Sequence, residues 1–237
     1  MVNNSLVLKY LFAKTIVVDE GFRNEIIWQS NLRFDEINES TFLREIAWVI
    51  LTSGMKESVI RNRFGLFSEC FYNWESAQKI ISNREKCQDL ALKIFNNKQK
   101  VIAIINAADQ VENVGFKKIK RMIEIDPITT LQKFNYIGPI TVYHLAKNIG
   151  LPVAKPDRHL VKIAQMANYS DVQTFCKDIS KLSGDPIPVV DIVFWRFATI
   201  NNNYLNVLSS LNLENCIQPL EDHHDQNSFT SELTMFQ

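Results

Sequence analysis

What this chain lacks narrows its nature before any motif is read. It has four cysteines, Cys70, Cys87, Cys176 and Cys216, widely spaced and with no Cys-x-x-Cys pair. That spacing argues against a zinc ribbon and a cysteine-ligated iron–sulfur cluster. It fits the reduced thiols of a cytoplasmic protein. Net charge is also lacking: Lys+Arg and Asp+Glu are both 26, which argues against a nonspecific polybasic binder but leaves room for a local basic face. From Asn212 onward the charged residues are all acids (Glu214, Glu221, Asp222, Asp225, Glu232), so the preceding body is mildly basic. No apolar run is long enough to cross a membrane. The first residues carry no secretory pattern, because Lys9 and Lys14 interrupt their apolar stretch.

What remains is 237 residues, 46% apolar and 22% charged, the balance of an ordinary globular chain with room for one bilobed domain or two small ones. Nearly every apolar pattern has helical spacing, and the seven glycines sit at its boundaries. The spacing predicts helices over 42–53, 56–63, 66–72, 75–81, 83–95, 98–112 and 116–125, another starting at Asp126-Pro127, and then 139–149, 157–167, 171–183 and 187–200. The first forty residues mix helix with a possible strand at Thr15 to Val18. Beyond about residue 213 the chain is polar and aperiodic, as expected of a mobile tail. The fold class is all-α.

Two short segments carry chemistry. Phe134-Asn135-Tyr136-Ile137-Gly138-Pro139-Ile140-Thr141-Val142 reads as a tight turn opening a helix. Ile137 plugs the bend, Gly138 supplies conformational freedom, and Pro139 suits a first helical position. Free amides at such a helix start attract anions, a DNA phosphate among them. A corner serving only packing is the competing reading. The second segment, Lys155-Pro156-Asp157-Arg158-His159-Leu160, places Asp157 just before an apolar-periodic run. There it serves as an N-cap, and a capping residue can also face a cleft.

Taken jointly, hairpin, helix, Gly150 and an Asp followed by His two residues later resemble the helix-hairpin-helix DNA glycosylase superfamily of the Gly-Pro-Asp type. The resemblance is strong over Leu131 to Ile163, weaker back to Phe42 through Trp48–Met55, and rests on spacing alone in the last helices. A Lys-Pro-Asp entry to the acid is closest to the alkylpurine branch. The resemblance implies two helical lobes flanking a cleft: residues 42–140 ending in the hairpin, residues 1–41 plus 141–212, and a tail over 213–237. It implies that Tyr136, Ile137, Gly138, Ile140 and Thr141 hold the DNA backbone, often with an alkali-metal ion at the hairpin, and that no other cofactor is needed. The family usually has a second glycine where this chain has Tyr136. Asp157 matches the catalytic aspartate, which stabilises positive charge on the deoxyribose as the base departs. Ile140 stands where bifunctional members keep a lysine nucleophile, so the reaction should stop at an abasic site. Lys155 reads as a backbone contact, with lyase chemistry as the alternative.

The remaining sites follow from the same resemblance. His144 and Trp195 fall where a base pocket is lined, although a half-buried histidine or a core tryptophan is the plainer reading of each. Met55, after Gly54, is a wedge to fill the gap left by a flipped nucleotide. His159 matches a recurrent structural histidine. The run Lys117, Lys118, Lys120 and Arg121 is a DNA-facing or merely solvated helix face. His223-His224 is too sparse for a metal site. The expected partner is double-stranded DNA containing a modified base, met by a monomer with no membrane association. Substrate candidates are alkylated purines, deaminated or oxidised bases, or a bulky modified cytosine of the kind phages carry. The competing functional readings are a DNA-binding module without catalysis and a helical protein-interaction domain.

Overall fold

The computed structural model describes residues 2–211. Among them the secondary structure is helical, with no strand. Residues Thr15 to Val18, whose β-branched side chains favour a strand, belong to helix α1 (Val2–Val17) and the turn after it. The reason is the spacing of buried side chains: Leu6, Tyr10, Ala13 and Val17 recur at intervals of three and four and form one apolar stripe. A π-helical turn at Val18–Phe22, with Gly21 at φ 89°, leads into α2 (Arg23–Asn31).

Helix α3 (Glu39–Thr52) starts on Asn38, whose side chain accepts from the Thr41 amide at 2.8 Å. Helix α4 (Glu57–Cys70) runs unbroken through Gly65, where the sequence predicted two shorter helices. Ile60, Phe64 and Phe67 continue its buried stripe across that glycine. Then come α5 (Ala77–Ser82), α6 (Arg84–Ile94), α7 (Lys98–Val114), α8 (Phe116–Ile125) and α9 (Pro127–Leu131). After the bend come α10 (Thr141–Asn148), α11 (Arg158–Met166), α12 (Val172–Ser183), α13 (Ile187–Ile200) and a short α14 (Tyr204–Ser210). Helix α14 has no counterpart in the sequence prediction, and α2 lies in the first forty residues, where helix was expected without bounds.

The buried apolar side chains form two separate cores. One spans Ile37 to Ile149 and is rich in aromatic contacts, with Phe42 against both Phe116 and Phe134 and Phe71 stacked on Trp74 at 5.0 Å. The other joins α1 and Ile26 of α2 to Ala154 and helices α11 to α14. Val142, Leu145, Ala146 and Ile149 lie in the first core. The cores therefore divide between Ile149 and Ala154, rather than at the 140/141 boundary that the sequence suggested. Cys70, Cys87 and Cys176 are buried free thiols inside these cores. Cys216, His223, His224 and the 213–237 tail lie outside the described residues.

Gly150 marks the passage from one core to the other. Its φ is 89°, and a Cβ there would stand 2.6 Å from the Phe34 amide nitrogen and 2.7 Å from the Arg33 carbonyl carbon. Backbone meets backbone, so only glycine fits. Gly65 differs: it is helical and a Cβ would meet nothing within 4 Å. Gly150→Ala is therefore expected to lower stability by at least about 2 kcal/mol through left-handed strain plus collision, whereas Gly65→Ala should raise it by about 0.5–1 kcal/mol. Urea unfolding of the two variants checks both signs.

Candidate functional site

Between the cores lies an open cleft of about 1590 Å³, larger than the roughly 300–1,000 Å³ of small-molecule pockets. That size suits a polymer or a large ligand. The cleft is lined by α2, α3, α4, α10, the 155–159 segment and α13. Three of the chain's four tryptophans, Trp28, Trp48 and Trp195, face it, and the fourth, Trp74, is buried in the first core.

Asp157 lines this cleft and caps α11. Its Oδ1 accepts the amides of His159 at 2.9 Å and Leu160 at 3.1 Å. Among the described residues Oδ2 accepts no protein hydrogen bond, so one oxygen is fixed by the helix end while the other is left for a ligand. The segment leading to it is anchored from behind, where the Lys155 amide donates to Asp191 Oδ2 at 2.5 Å. Asp191 Oδ1 in turn accepts from the ammonium of Lys147, and both side chains are almost fully buried. Burial pushes the Asp191 carboxyl up, and the Lys147 charge and its hydrogen bond oppose that. Gln29 of α2 completes the joint by donating to the Lys147 carbonyl at 3.0 Å.

The bend before α10 departs from expectation. Gly138 does not carry the unusual backbone: a Cβ there would meet only Thr141 Oγ1, at 3.9 Å. Tyr136 does, with φ 67°. Its hydroxyl donates to Gln99 at 3.0 Å, which ties the bend to α7. The Gly138 amide is also not free, because it donates to Thr141 Oγ1 at 2.7 Å, and that hydroxyl donates onward to the Tyr136 carbonyl. Helix α10 begins at Thr141, two residues after Pro139. The amides of Ile140 and Thr141 find no acceptor among the described residues, so these two are the donors available to an anion. The carbonyls of Phe134, Tyr136 and Gly138 each already accept a bond within the bend. The bend thus closes on its own hydrogen bonds, each of these carbonyls keeps a second lone pair, and no step is assigned to an ion there.

The predicted residues divide accordingly. Met55, Ile140, Thr141, His144, Lys155, Asp157 and Trp195 all line the cleft. Tyr136, Ile137 and Gly138 do not, and Ile137 is buried in the first core. Met55 is exposed on the rim, 41% accessible, after Gly54. The connection that holds it is braced by Lys100, whose ammonium donates to the Leu51 and Ser53 carbonyls at 2.7 and 2.5 Å. Lys120 is likewise committed, donating to the Asp35 and Ile37 carbonyls, so it braces a loop and leaves the rest of the 117–121 run as a solvated face. His159 meets Tyr204 edge to face, its Nδ1 3.3 Å from the hydroxyl.

Electrostatics sort the cleft further. Arg196 holds Glu25 through two bonds at 2.9 and 2.6 Å, packed between Phe22 and Trp195. Arg61 pairs with Glu57 and Glu25. Lys56, Lys155 and Arg158 form no ion pair among the described residues, which leaves excess positive charge on the cleft. Burial pushes the Lys155 ammonium down, and its neighbour Lys147 adds to that, while Asp157 and Asp191 oppose it. His144 is held well below its usual value by burial and by Lys155 and Lys147, so it is a neutral imidazole at physiological pH. Sequence reasoning missed Glu45, Asn148, Lys147, Asp191, Trp28 and Trp48. The signal for three of them was a charge set among buried apolar neighbours on a helix.

The chain matches no protein-family model, no curated protein and no solved structure. The functional reading therefore rests on these residues and their geometry.

Two predictions follow from the electrostatics. Lys147→Met leaves a carboxyl buried without its cation and is expected to destabilise by about 3–5 kcal/mol. Lys147→Met combined with Asp191→Leu should recover part of that loss, as measured by denaturant unfolding. His144 has a folded-state value below the unfolded value of about 6.5. The unfolded chain therefore takes up that proton first, and stability falls as pH drops below about 6.5. Thermal melting between pH 7.5 and 5.5 should show this decline, with a shallower slope in His144→Phe.

Proposed function

We propose that this chain is a monofunctional DNA glycosylase of helix-hairpin-helix type: two helical lobes flank the cleft, a modified nucleotide is turned into it, and the N-glycosidic bond is hydrolysed to leave an abasic site. The observation that carries the reading is the placement of Asp157. A carboxylate fixed through one oxygen, with the other left to the cleft, shares that cleft with the open amides of Ile140 and Thr141 at the start of α10.

Each part has a physical role. The Ile140 and Thr141 amides take a backbone phosphate, with Lys155, Lys56 and Arg158 supplying charge that does not depend on sequence. Trp28, Trp48 and Trp195 offer faces against which an extruded base stacks, and Met55 fills the vacated place in the duplex. As the C1′–N bond breaks, positive charge grows on the sugar. The oriented Asp157 carboxylate stabilises it and guides water to C1′. Ile140 offers no amine for a covalent intermediate, so the strand stays intact. The role is base repair or attack on phage DNA carrying modified cytosine.

A second reading has one observation in its favour, since the cap bonds already give Asp157 a structural use. The chain would then be a DNA-binding module without catalysis. The substitution Asp157→Asn separates the two. Asparagine caps as well as aspartate, so folding should change by only a few tenths of a kcal/mol. Base excision should fall by roughly 10²–10³-fold, the loss of about 3–4 kcal/mol of transition-state stabilisation. Modified duplexes are incubated with each form and then treated with alkali. Strand breaks with the wild type that vanish in Asp157→Asn support the enzyme. Salt-sensitive binding by both forms, without base release, supports the module.

A further inference from the structure

His144 is the side chain in the cleft that the steps above leave unused. It stands on α10 one turn after Ile140 and lines the same cleft as Asp157. Among the described residues its ring makes no hydrogen bond, and neither ring nitrogen is one of the buried polar atoms left without a partner. The imidazole is therefore open to the cleft. The charge of Lys155 acts on His144, and the charge of Asp157 acts on Lys155. One ammonium thus stands near both, which sets the imidazole on the side of the cleft that holds the Asp157 carboxylate. Burial, Lys155 and Lys147 keep the ring uncharged, so it offers a ligand one N–H and has no acidic proton to give up.

The charges around it point the same way. Seven cationic side chains line the cleft against five carboxyls. Four of those carboxyls are held by cations: Glu25 by Arg196, Glu57 by Arg61, Glu45 by Arg44 and Asp191 by Lys147. The fifth is Asp157, which the reaction assigns to the sugar. A guanidinium already stands over two of the tryptophans, with Arg196 4.6 Å from the Trp195 ring centre and Arg61 5.8 Å from that of Trp48. Rings so occupied give a second cation little to gain. The cleft is suited to receive negative charge, and a cationic base finds no carboxylate set aside for it.

We propose that His144 donates a hydrogen bond to the acceptor adjoining the glycosidic nitrogen of the extruded base (O2 of a pyrimidine, N3 of a purine), that the base leaves as an anion, and that the cleft therefore acts on uncharged bases and passes over N-alkylated purines that carry positive charge. As the C1′–N bond breaks, its electron pair goes to the base and spreads onto that acceptor. The imidazole N–H then meets growing negative charge, with the Lys155 ammonium beside it. Both interactions are stronger in the transition state than before it, which is the condition for lowering a barrier. A purine that is already cationic leaves neutral, so it gains nothing from this donor and is repelled by the excess charge on entering. The balance is complete. No proton leaves His144. Water adds to C1′ and gives its proton to solvent by way of Asp157, and solvent protonates the departed base. This inference rests on the glycosylase reading.

The test is single-turnover release from duplexes containing an uncharged base (uracil, hypoxanthine, 5-hydroxymethylcytosine or its glucosylated form) or a cationic one (7-methylguanine or 3-methyladenine), each corrected for spontaneous loss. Wild type is compared with His144→Phe, His144→Asn and Asp157→Asn. Phenylalanine keeps the bulk of the ring without a donor, and asparagine restores an N–H on a shorter side chain. Release of an uncharged base should fall about 100-fold in His144→Phe, with DNA affinity unchanged. His144→Asn should recover part of the rate. A wild-type rate in His144→Phe, or release of a cationic purine as fast as any uncharged base, overturns the assignment. So does equal loss of release and of thermal stability in both His144 variants, which would mark a purely structural ring. Release that stops in Asp157→Asn but persists in His144→Phe leaves the glycosylase reading standing and removes this one. Release from no duplex removes both.

Discussion

The buried pair of Lys147 and Asp191 is the joint on which the candidate site depends. Lys147 lies at the end of α10, within the first core's span, and Asp191 lies on α13 of the second. An ion pair taken out of water is a poor source of net stability, because desolvation offsets most of the attraction. What it supplies is position. Its attraction survives only at close range and in one geometry, and Asp191 uses its second oxygen to hold the Lys155 amide. The segment that delivers Asp157 is therefore tied to the helix that opens with the Ile140 and Thr141 amides. A shift between the cores would break that pair and the Gln29 bond to the Lys147 carbonyl together.

That joint also sets the electrostatic character of the cleft. Burial holds His144 unprotonated, and the charges of Lys155 and Lys147 add to that. The acids of the cleft then occupy different environments. Asp157 is partly exposed, bonded to two helix-start amides, and set where the positive end of α11 favours an anion. Glu45 is buried beside an amide and an exposed guanidinium.

Much of this was legible in the sequence, for identifiable reasons. The helices over 84–94, 98–114, 116–125 and 187–200 were visible because their apolar side chains recur at helical spacing and few glycines interrupt them. Asp157 was visible because a proline and an apolar-periodic run bracket it. The strand at Thr15 to Val18 failed because local β preference was weighed without the stripe running from Leu6 to Val17. The break near Gly65 failed for the same reason. The bend was right in place and wrong in mechanism: strain was assigned to Gly138, but the left-handed residue is Tyr136, whose cost is offset by ties to Gln99 and Thr141 that only the folded chain brings together. Lys147, Asp191 and Glu45 were passed over because a charge among apolar helix neighbours is legible only as an oddity until its partner, 44 or 103 residues away, is known.

The dual use of Asp157 follows from the same economy. A carboxylate free to rotate has to be oriented afresh at each turnover, and water would compete for both of its oxygens. Here the His159 and Leu160 amides hold Oδ1, and the anchored Lys155 amide fixes the backbone two residues earlier. The orientation of Oδ2 is thus settled during folding, before any ligand arrives. Electrostatic stabilisation is strongest when the stabilising group need not move as charge develops. Capping a helix and presenting an oriented oxygen to the cleft are therefore compatible demands on one residue, since the hydrogen bonds that cap the start of α11 are also what holds the carboxylate.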